Sequence, residues 1–142
     1  MTKLIIPTEI YQRMLAWARA HAPVEACGIL AGRNGKVEKL YEMTNSDNSS
    51  DHFMMEPREQ FTVVKDIRSS GLEILAIYHS HPATPARPSK EDIRLALTPN
   101  VTYVIVSLQK PGKPVINGFA FRNNVLEEIP VNIEQVRMEE AL

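Results

Sequence analysis

Two mostly apolar runs constrain the fold of this chain more than any other feature. Residues Leu72–Tyr78 read LEILAIY, and residues Thr102–Leu108 read TYVIVSL. Each run is short for a helix, and a run that is apolar on both sides of a strand is typical of a sheet covered on both faces. We therefore predict that both runs are buried strands, with the first at the centre of the sheet.

The segments around these runs alternate between helical and extended patterns. Apolar spacings of three and four, a proline near the start of two segments and a capping signal in the third predict three helices, at Thr8–His21, Pro57–Gly71 and Ser89–Leu97. Short apolar segments bounded by turn residues predict five further strands, at Lys3–Ile6, Ala26–Ala31, Val37–Tyr41, Val115–Arg122 and Val125–Val131. The resulting order, β-α-ββ-α-β-α-βββ, predicts a mixed α/β fold in which helices pack on a largely antiparallel sheet. We expect the first strand to lie at an edge of that sheet.

Length, charge and cysteine content limit the functional classes that need to be considered. A chain of 142 residues fits one domain, residues 1–142, whose acidic end at 133–142 we expect to fray or to form a short helix. A net charge of -1 argues against a module that binds nucleic acid through bulk charge. One cysteine excludes an internal disulfide framework and fits a reducing compartment. Because no early apolar run is long enough for a signal peptide or a membrane span, we expect a soluble cytoplasmic protein with no membrane or nucleic-acid partner.

The triplet His79-Ser80-His81 directly follows the first apolar run. Side chains alternate along a strand, so both imidazoles are expected on one side and the Ser80 hydroxyl on the other. Two imidazoles on one side can chelate a metal ion, and Pro82 ends the strand there. The same pattern also fits two unrelated histidines in a polar loop, because a bare H-x-H motif is a weak signal.

A second polar element begins at Ser89, in the sequence Ser-x-x-Asp that ends at Asp92. By itself it predicts a capping box at the start of a helix. A carboxylate in a first helical turn is stabilised in its charged form, which is the form that a divalent metal ion needs. The proline-rich segment 82–88 is stiff enough to return this helix start to the histidines. Two imidazoles, one carboxylate and a water are the ligands of an open catalytic zinc site, in which the pKa of the water falls to about 7.

Such a site also needs a proton acceptor, and Glu25 is the candidate. It lies between Pro23, which ends the first helix, and the small apolar segment that starts at Ala26. Burial beside a metal-bound water would suit a general base. Most glutamates are solvated, so the sequence alone favours an exposed loop residue here.

Taken together, these positions resemble the JAMM/MPN+ (Mov34/MPN/PAD-1) zinc metalloprotease family. Seven residues separate His81 from Ser89, Asp92 follows in the expected register, and Glu25 lies upstream in the pattern E-x-C-G-x-L. The resemblance covers the chain from about Ile6 to Val131. The stretch from Asn45 through Phe53-Met54-Met55-Glu56-Pro57 resembles the stand-alone prokaryotic branch of this family.

The resemblance implies a fold and a role for each site residue. The fold would be a curved mixed β-sheet flanked by helices, similar to that of cytidine deaminase. His79, His81 and Asp92 would bind one zinc ion. Glu25 would accept a proton from the zinc-bound water and pass it to the leaving amine. Ser89 would hydrogen-bond the developing oxyanion.

The resemblance also implies a substrate class. The scissile bond would be a peptide or isopeptide bond that follows the C-terminal Gly-Gly tail of a ubiquitin-like or sulfur-carrier protein. Met54 and Met55, between the polar loop and the second helix, could be core residues or belong to an adaptable surface that pairs with an extended peptide, and their position favours the second reading.

Other functional readings remain open at the level of sequence. A non-catalytic MPN-like interaction module is the main alternative, although modules of that kind usually lack the ligand set. Cys27 could act as a nucleophile, but we expect it to be buried packing. A single cysteine cannot supply the Cys-x-x-Cys pair of a zinc deaminase. A 2-His-1-carboxylate iron oxygenase is compatible with the ligand types.

Overall fold

The computed structural model describes residues 3–96, 98 and 100–135 of the chain. Within these residues the helices are α1 (Thr8–His21), α2 (Pro57–Ser69) and α3 (Lys90–Leu95). The strands are β1 (Leu4–Pro7), β2 (Cys27–Arg33), β3 (Lys36–Met43), β4 (Glu73–His81), β5 (Thr102–Ser107), β6 (Val115–Arg122), β7 (Val125–Ile129) and β8 (Val131–Glu134). The predicted order of elements is confirmed, except that the chain forms one strand more near its end.

The eight strands form one curved sheet in the order β7-β6-β5-β4-β2-β3-β1-β8. The two apolar runs form β4 and β5, which are parallel neighbours at the centre of the sheet. β1 is also parallel to both β3 and β8, whereas the other neighbouring strands are antiparallel. The curvature brings the two ends of the sheet together, because Val131 of β8 lies beside Gly118 of β6. The structure is therefore the curved mixed sheet with flanking helices that the resemblance implied.

Side-chain alternation divides the core into two layers. On one face of the sheet, α1 buries Met14 and Ala18 in a cluster that includes Leu30 and Tyr78. On the other face, Ile67 of α2 packs in a separate cluster with strand residues. Phe61, an apolar residue of the same helix, is 74% exposed. α2 thus touches the sheet mainly near its C-terminal end.

Tight turns join two of the strand pairs in the way that their sequences predict. Asn34 and Gly35 connect β2 to β3 with φ values of 53° and 76°. Asn123 and Asn124 connect β6 to β7 with φ values of 53° and 63°. Left-handed backbone at both central positions suits a two-residue hairpin, and asparagine and glycine tolerate it better than other residues.

The end of the chain departs from the prediction of a single strand over Val125–Val131. Pro130 interrupts that strand, because proline has no N–H to donate to the ladder. The chain then turns, and β8 pairs with β1, while the carbonyl of Pro130 accepts a hydrogen bond from the Leu4 amide at 2.9 Å. β1 therefore lies between β3 and β8, and our expectation that it is an edge strand is wrong. Of the segment 133–142 that was predicted to fray or to form a short helix, residues 133 and 134 belong to β8 instead. Residues 136–142 and the predicted helix end at Leu97 lie outside the described residues.

The helices of the described ranges are all shorter than a membrane span. α1, with 14 residues, is the longest of them, and none is both long enough and apolar enough to cross a bilayer.

Gly28 offers a test of the packing between β2 and its neighbours. A Cβ at this position would lie 2.1 Å from Cε1 of Tyr78 and 2.7 Å from the carbonyl oxygen of Tyr41. We expect Gly28→Ala to lower the free energy of unfolding by about 1–3 kcal/mol, because the ring and the backbone must move apart. Urea denaturation measures the change. Gly112→Ala is the matched control, since no atom lies within 4 Å of its Cβ position, and equal stability of the two variants would contradict this account.

Candidate metal centre

The end of β4 carries the two histidines into the interior of the protein. His79 is 1% exposed and His81 is 4% exposed, and their Nε2 atoms lie 3.2 Å apart. Ser80, between them, points to the other side, where its Oγ accepts a hydrogen bond from the Ala26 amide at 2.8 Å. The alternation expected from the sequence is present, and it leaves both imidazoles on one side of the strand.

The start of α3 brings a carboxylate against both rings. Asp92 Oδ1 lies 3.2 Å from Nε2 of His79, and Asp92 Oδ2 lies 3.0 Å from Nε2 of His81. The same carboxylate accepts a hydrogen bond from the Ser89 amide at 2.9 Å, while Ser89 Oγ accepts one from the Asp92 amide at 3.0 Å. The capping box and the contact with the histidines therefore exist together.

The segment between β4 and α3 fixes the orientation of one ring. His81 Nδ1 lies 2.8 Å from the carbonyl oxygen of Pro85 and can only donate to it. In the neutral ring the lone pair is therefore on Nε2, the atom that faces Asp92 and His79. Ser107 Oγ donates to the carbonyl of Thr84, which ties the segment to β5. A second partner that holds a ligating histidine in this way is typical of metal sites.

Glu25 also reaches this group, although it lies far away in the sequence. Its residue exposure is 2%, so the reading as a solvated loop residue is wrong. One potential ligand atom each from Glu25, His79 and His81 lie within 4.8 Å of one another. Glu25 Oε1 and His79 Nδ1 are buried and have no hydrogen-bond partner in the described part of the chain. A buried carboxylate beside two imidazoles is a set of donors that fits a divalent metal ion and a water.

The two carboxyl groups of the site have different electrostatic surroundings. Burial, with a smaller contribution from the nearby Asp92, raises the pKa of Glu25 to about 8 although the His81 ring opposes the shift. Burial also works against ionisation of Asp92, but hydrogen bonds from His79 and His81 outweigh it and hold the pKa of Asp92 well below its usual range. One carboxyl group is therefore charged and the other accepts a proton easily near neutral pH.

The pKa values of the two imidazoles are also shifted in opposite directions. Burial lowers the pKa of His79 and so favours its neutral form. Burial acts on His81 too, but its hydrogen bonds to Asp92 and to the Pro85 carbonyl outweigh it and raise the pKa of His81. Neutral imidazole is the form that binds metal ions, and His79 is already in that form.

An apolar groove opens directly beside these residues. The ring of Phe53 stacks on His79, with centroids 4.8 Å apart. The groove has a volume of about 210 Å³, and besides His79 and Asp92 its walls include mainly apolar side chains, among them Phe53, Met54, Leu95, Tyr103, Phe119 and Phe121. No sequence pattern indicates the aromatic walls, since their aromatic residues come from three separate segments, the loop before α2, β5 and β6.

The two methionines of the loop before α2 have different environments. Met54 is 56% exposed at the groove, whereas Met55 is buried in the core beneath α2. Met55 nevertheless lines the groove together with Met54 and His52. The reading of the methionines as part of an adaptable, peptide-binding surface therefore stays a prediction, and the burial of Met55 fits the alternative reading as a core residue.

Cys27 is not suited to nucleophilic chemistry. The residue is completely buried, and its Sγ lies 3.8 Å from the Met43 carbonyl oxygen, to which the thiol donates. Burial raises the pKa of the Cys27 thiol to about 12, so the thiolate is scarce at neutral pH. The expectation that Cys27 is buried packing is confirmed.

Comparison with known proteins places this geometry in a family. Residues 7–122 match the family described as prokaryotic homologues of the JAB domain. The chain is 35% identical over 132 residues to the CysO-cysteine peptidase of Mycobacterium tuberculosis, covering 92% of this chain and 90% of that protein. It is 30% identical over 131 residues to the desampylase of Pyrococcus furiosus, covering 92% and 91%. Both relatives are named for hydrolytic activities.

Solved structures agree with this assignment. A solution structure of a protein from Desulfitobacterium hafniense is 44% identical, with a TM-score of 0.84 over 96% of this chain and 97% of that one. A crystal structure of a JAB1/MPN domain protein from Archaeoglobus fulgidus shares the fold at 19% identity, with a TM-score of 0.61 over 94% of this chain and 100% of that one. The chain therefore belongs to the prokaryotic branch of the JAB-domain family.

Proposed function

We propose that this protein is a zinc-dependent peptidase or isopeptidase. Its substrate would be the bond after the C-terminal Gly-Gly tail of a ubiquitin-like or sulfur-carrier protein, and residues 1–142 would act as one catalytic domain in the cytoplasm. One observation carries the proposal: two carboxyl groups with opposite pKa shifts, those of Glu25 and Asp92, lie against the same pair of buried imidazoles. Opposite shifts of this kind separate a base from a charged ligand.

The ligands in this proposal are His79, His81 and Asp92. Asp92 is the carboxylate that stays charged, and it already touches both Nε2 atoms. Glu25 belongs to the same group by distance, but its raised pKa makes it the weaker anionic ligand and the better proton acceptor. When bound here, a zinc ion would polarise the scissile carbonyl and lower the pKa of a coordinated water.

Glu25 acts as the general base in this scheme. Its unpartnered Oε1 is buried next to the imidazoles, where it can accept the proton of the attacking water. Because burial disfavours the charged carboxylate, the resulting acid can give that proton to the leaving amine. The same carboxyl group thus serves both proton transfers.

Ser89 is proposed to stabilise the oxyanion. Its Oγ accepts a hydrogen bond from the Asp92 amide, so the hydroxyl proton is free to be donated elsewhere. Because the N-cap geometry fixes this oxygen beside Asp92, the donor is positioned before the substrate arrives.

The substrate class is supported by the names of the relatives and by the groove. One relative is named as a peptidase for CysO-cysteine and another as a desampylase. The groove is narrow and mainly apolar and reaches His79 and Asp92. An extended tail that ends in two glycines can enter such a groove without side chains near the scissile bond. The single buried cysteine fits the reducing cytoplasm.

Removing the proposed base tests the mechanism. We expect Glu25→Gln to lower kcat by at least about a hundredfold, because glutamine cannot accept the proton of the attacking water. The assay follows cleavage of a carrier protein fused through its Gly-Gly end, by mass spectrometry, with zinc present. Glu73→Gln, at the exposed start of β4, is the matched control and should cleave like the wild type. Equal cleavage by both variants would contradict the role of Glu25.

Metal content tests the ligand set. We expect about one equivalent of zinc per chain and its loss in His79→Ala, because one of two nitrogen ligands is removed. His21→Ala, which alters a histidine on α1, should keep the metal. Metal analysis of samples prepared without oxygen distinguishes zinc from iron. A folded wild-type protein that binds no metal would instead favour a non-catalytic interaction module.

The raised pKa of Glu25 predicts a pH-dependent stability of the metal-free protein. The pKa of Glu25 is near 4.5 in the unfolded chain but about 8 in the folded protein. Between pH 4.5 and about 8, rising pH therefore ionises Glu25 more readily in the unfolded chain and lowers the free energy of unfolding. A glutamine at this position removes the effect. We expect the melting temperature of Glu25→Gln to exceed that of the wild type by a margin that grows from about pH 5 to about pH 8. Thermal unfolding with a chelator measures the margin, and a margin independent of pH would show that Glu25 ionises normally.

A further inference from the structure

Asn45 lies behind the candidate site, at the start of the loop that leads to α2, and its side chain is buried and fully hydrogen-bonded. Its exposure is 8%. Its Nδ2 donates to the carbonyl oxygens of Glu25 and His52, both at 3.1 Å. Its Oδ1 accepts from the amides of Asp47 and Met54, also at 3.1 Å. One amide group thus satisfies two distant carbonyls and two loop amides, which uses its whole hydrogen-bonding capacity.

The first of these contacts acts on the backbone of the proposed base. Glu25 is fixed at three points: its amide donates to the Ser49 carbonyl at 2.8 Å, its carbonyl accepts from Asn45, and the following Ala26 amide donates to Ser80 Oγ. Ser80 belongs to β4, so it ties Glu25 to the strand of the histidines. Asn45 and Ser49 tie Glu25 to the loop.

The remaining contacts act on the wall of the groove. His52 and Met54, which Asn45 holds through main-chain groups, flank Phe53. Phe53 stacks on His79 and lines the groove. The side chain of Asn45 itself is not among the residues of the groove walls. Asn45 is therefore bonded at once to the backbone of the base and to the segment that shapes the groove.

We propose that Asn45 is a positioning residue that couples the placement of the Glu25 carboxyl group to the conformation of the groove wall at 52–54. This inference rests on the proposed function. A loop that is correctly seated for the substrate tail sets the position of the base through a single buried amide. A displacement of about 1 Å in a catalytic group costs on the order of a hundredfold in rate, so the coupling matters for catalysis.

Kinetics with the Gly-Gly fusion separate the two sides of the coupling. Asn45→Ala removes the contact with Glu25 and the contacts with the loop. We expect kcat to fall at least about tenfold and KM to rise, with zinc content unchanged. Ser80→Ala removes only a contact on the Glu25 side, so kcat should fall while KM stays near that of the wild type. Ser46→Ala is the matched control: Ser46 Oγ donates to the Met54 carbonyl at 2.9 Å and bonds the same loop without touching Glu25. In Ser46→Ala, kcat and KM should both stay within about twofold of the wild-type values.

Amide hydrogen exchange tests the coupling without relying on activity. In Asn45→Ala we expect faster exchange in both segments, 24–28 and 46–54, because each loses a bond to the same side chain. In Ser80→Ala only 24–28 should change, and in Ser46→Ala the segment 24–28 should exchange as in the wild type, because the lost bond goes to Met54 and not to Glu25. Asn45→Asp keeps the two acceptor contacts with the loop amides but not both donor contacts. It should therefore protect 46–54 better than Asn45→Ala does.

The outcomes distinguish this inference from the proposed function. A wild-type protein that does not cleave the fusion contradicts the proposed function, and the exchange data still decide whether Asn45 couples the two segments. Faster exchange in 46–54 alone, or an unchanged kcat in Asn45→Ala, would overturn the coupling. A fall in kcat that merely follows a loss of zinc or of folded protein would show a structural role only.

Discussion

The structure depends on the carboxylate of Asp92, which takes part in two arrangements at once. It completes the capping box that starts α3, and it faces the Nε2 atoms of both buried histidines. The hydrogen bonds of the cap and of the imidazoles together keep this carboxylate charged in spite of its burial. If Asp92 were neutral, the imidazoles would lose their anionic partner and the cap would lose an acceptor. Helix initiation and the chemistry of the site therefore rely on the same charge.

The features that could be predicted from the sequence obey local rules. Strand alternation was sufficient to place His79 and His81 on one side and Ser80 on the other, and the Ser-x-x-Asp pattern correctly indicated the cap of α3. The Asn-Gly and Asn-Asn turns and the buried strands β4 and β5 follow from backbone preference and continuous hydrophobicity over a few residues. In each case the interactions that decide the structure lie within about ten residues, so the sequence contains the information directly.

The features that could not be predicted join distant segments. Glu25 is buried because the loop at Asn45 and Ser80 of β4 hold its backbone, and no spacing in the sequence reveals those contacts. The aromatic residues of the groove come from three separate stretches. β8 pairs with β1 across almost the whole chain, and Phe61 is exposed on α2, whose buried residue Ile67 lies near the other end of the helix. Family resemblance supplied the grouping of Glu25 with the histidines, which local reasoning could not.

The nine residues of β4 show how one segment can supply both sides of the proposed site. Its odd and even positions serve different neighbours: the imidazoles face the proposed metal site, whereas the hydroxyl between them holds the turn that carries Glu25. A substitution along this strand alters the contacts of one side chain. Inserting or deleting a single residue would instead exchange the two sets, turning the hydroxyl toward the proposed site and both rings toward the opposite layer. Evolution of this protein is therefore expected to vary the chemistry of the strand far more freely than its length.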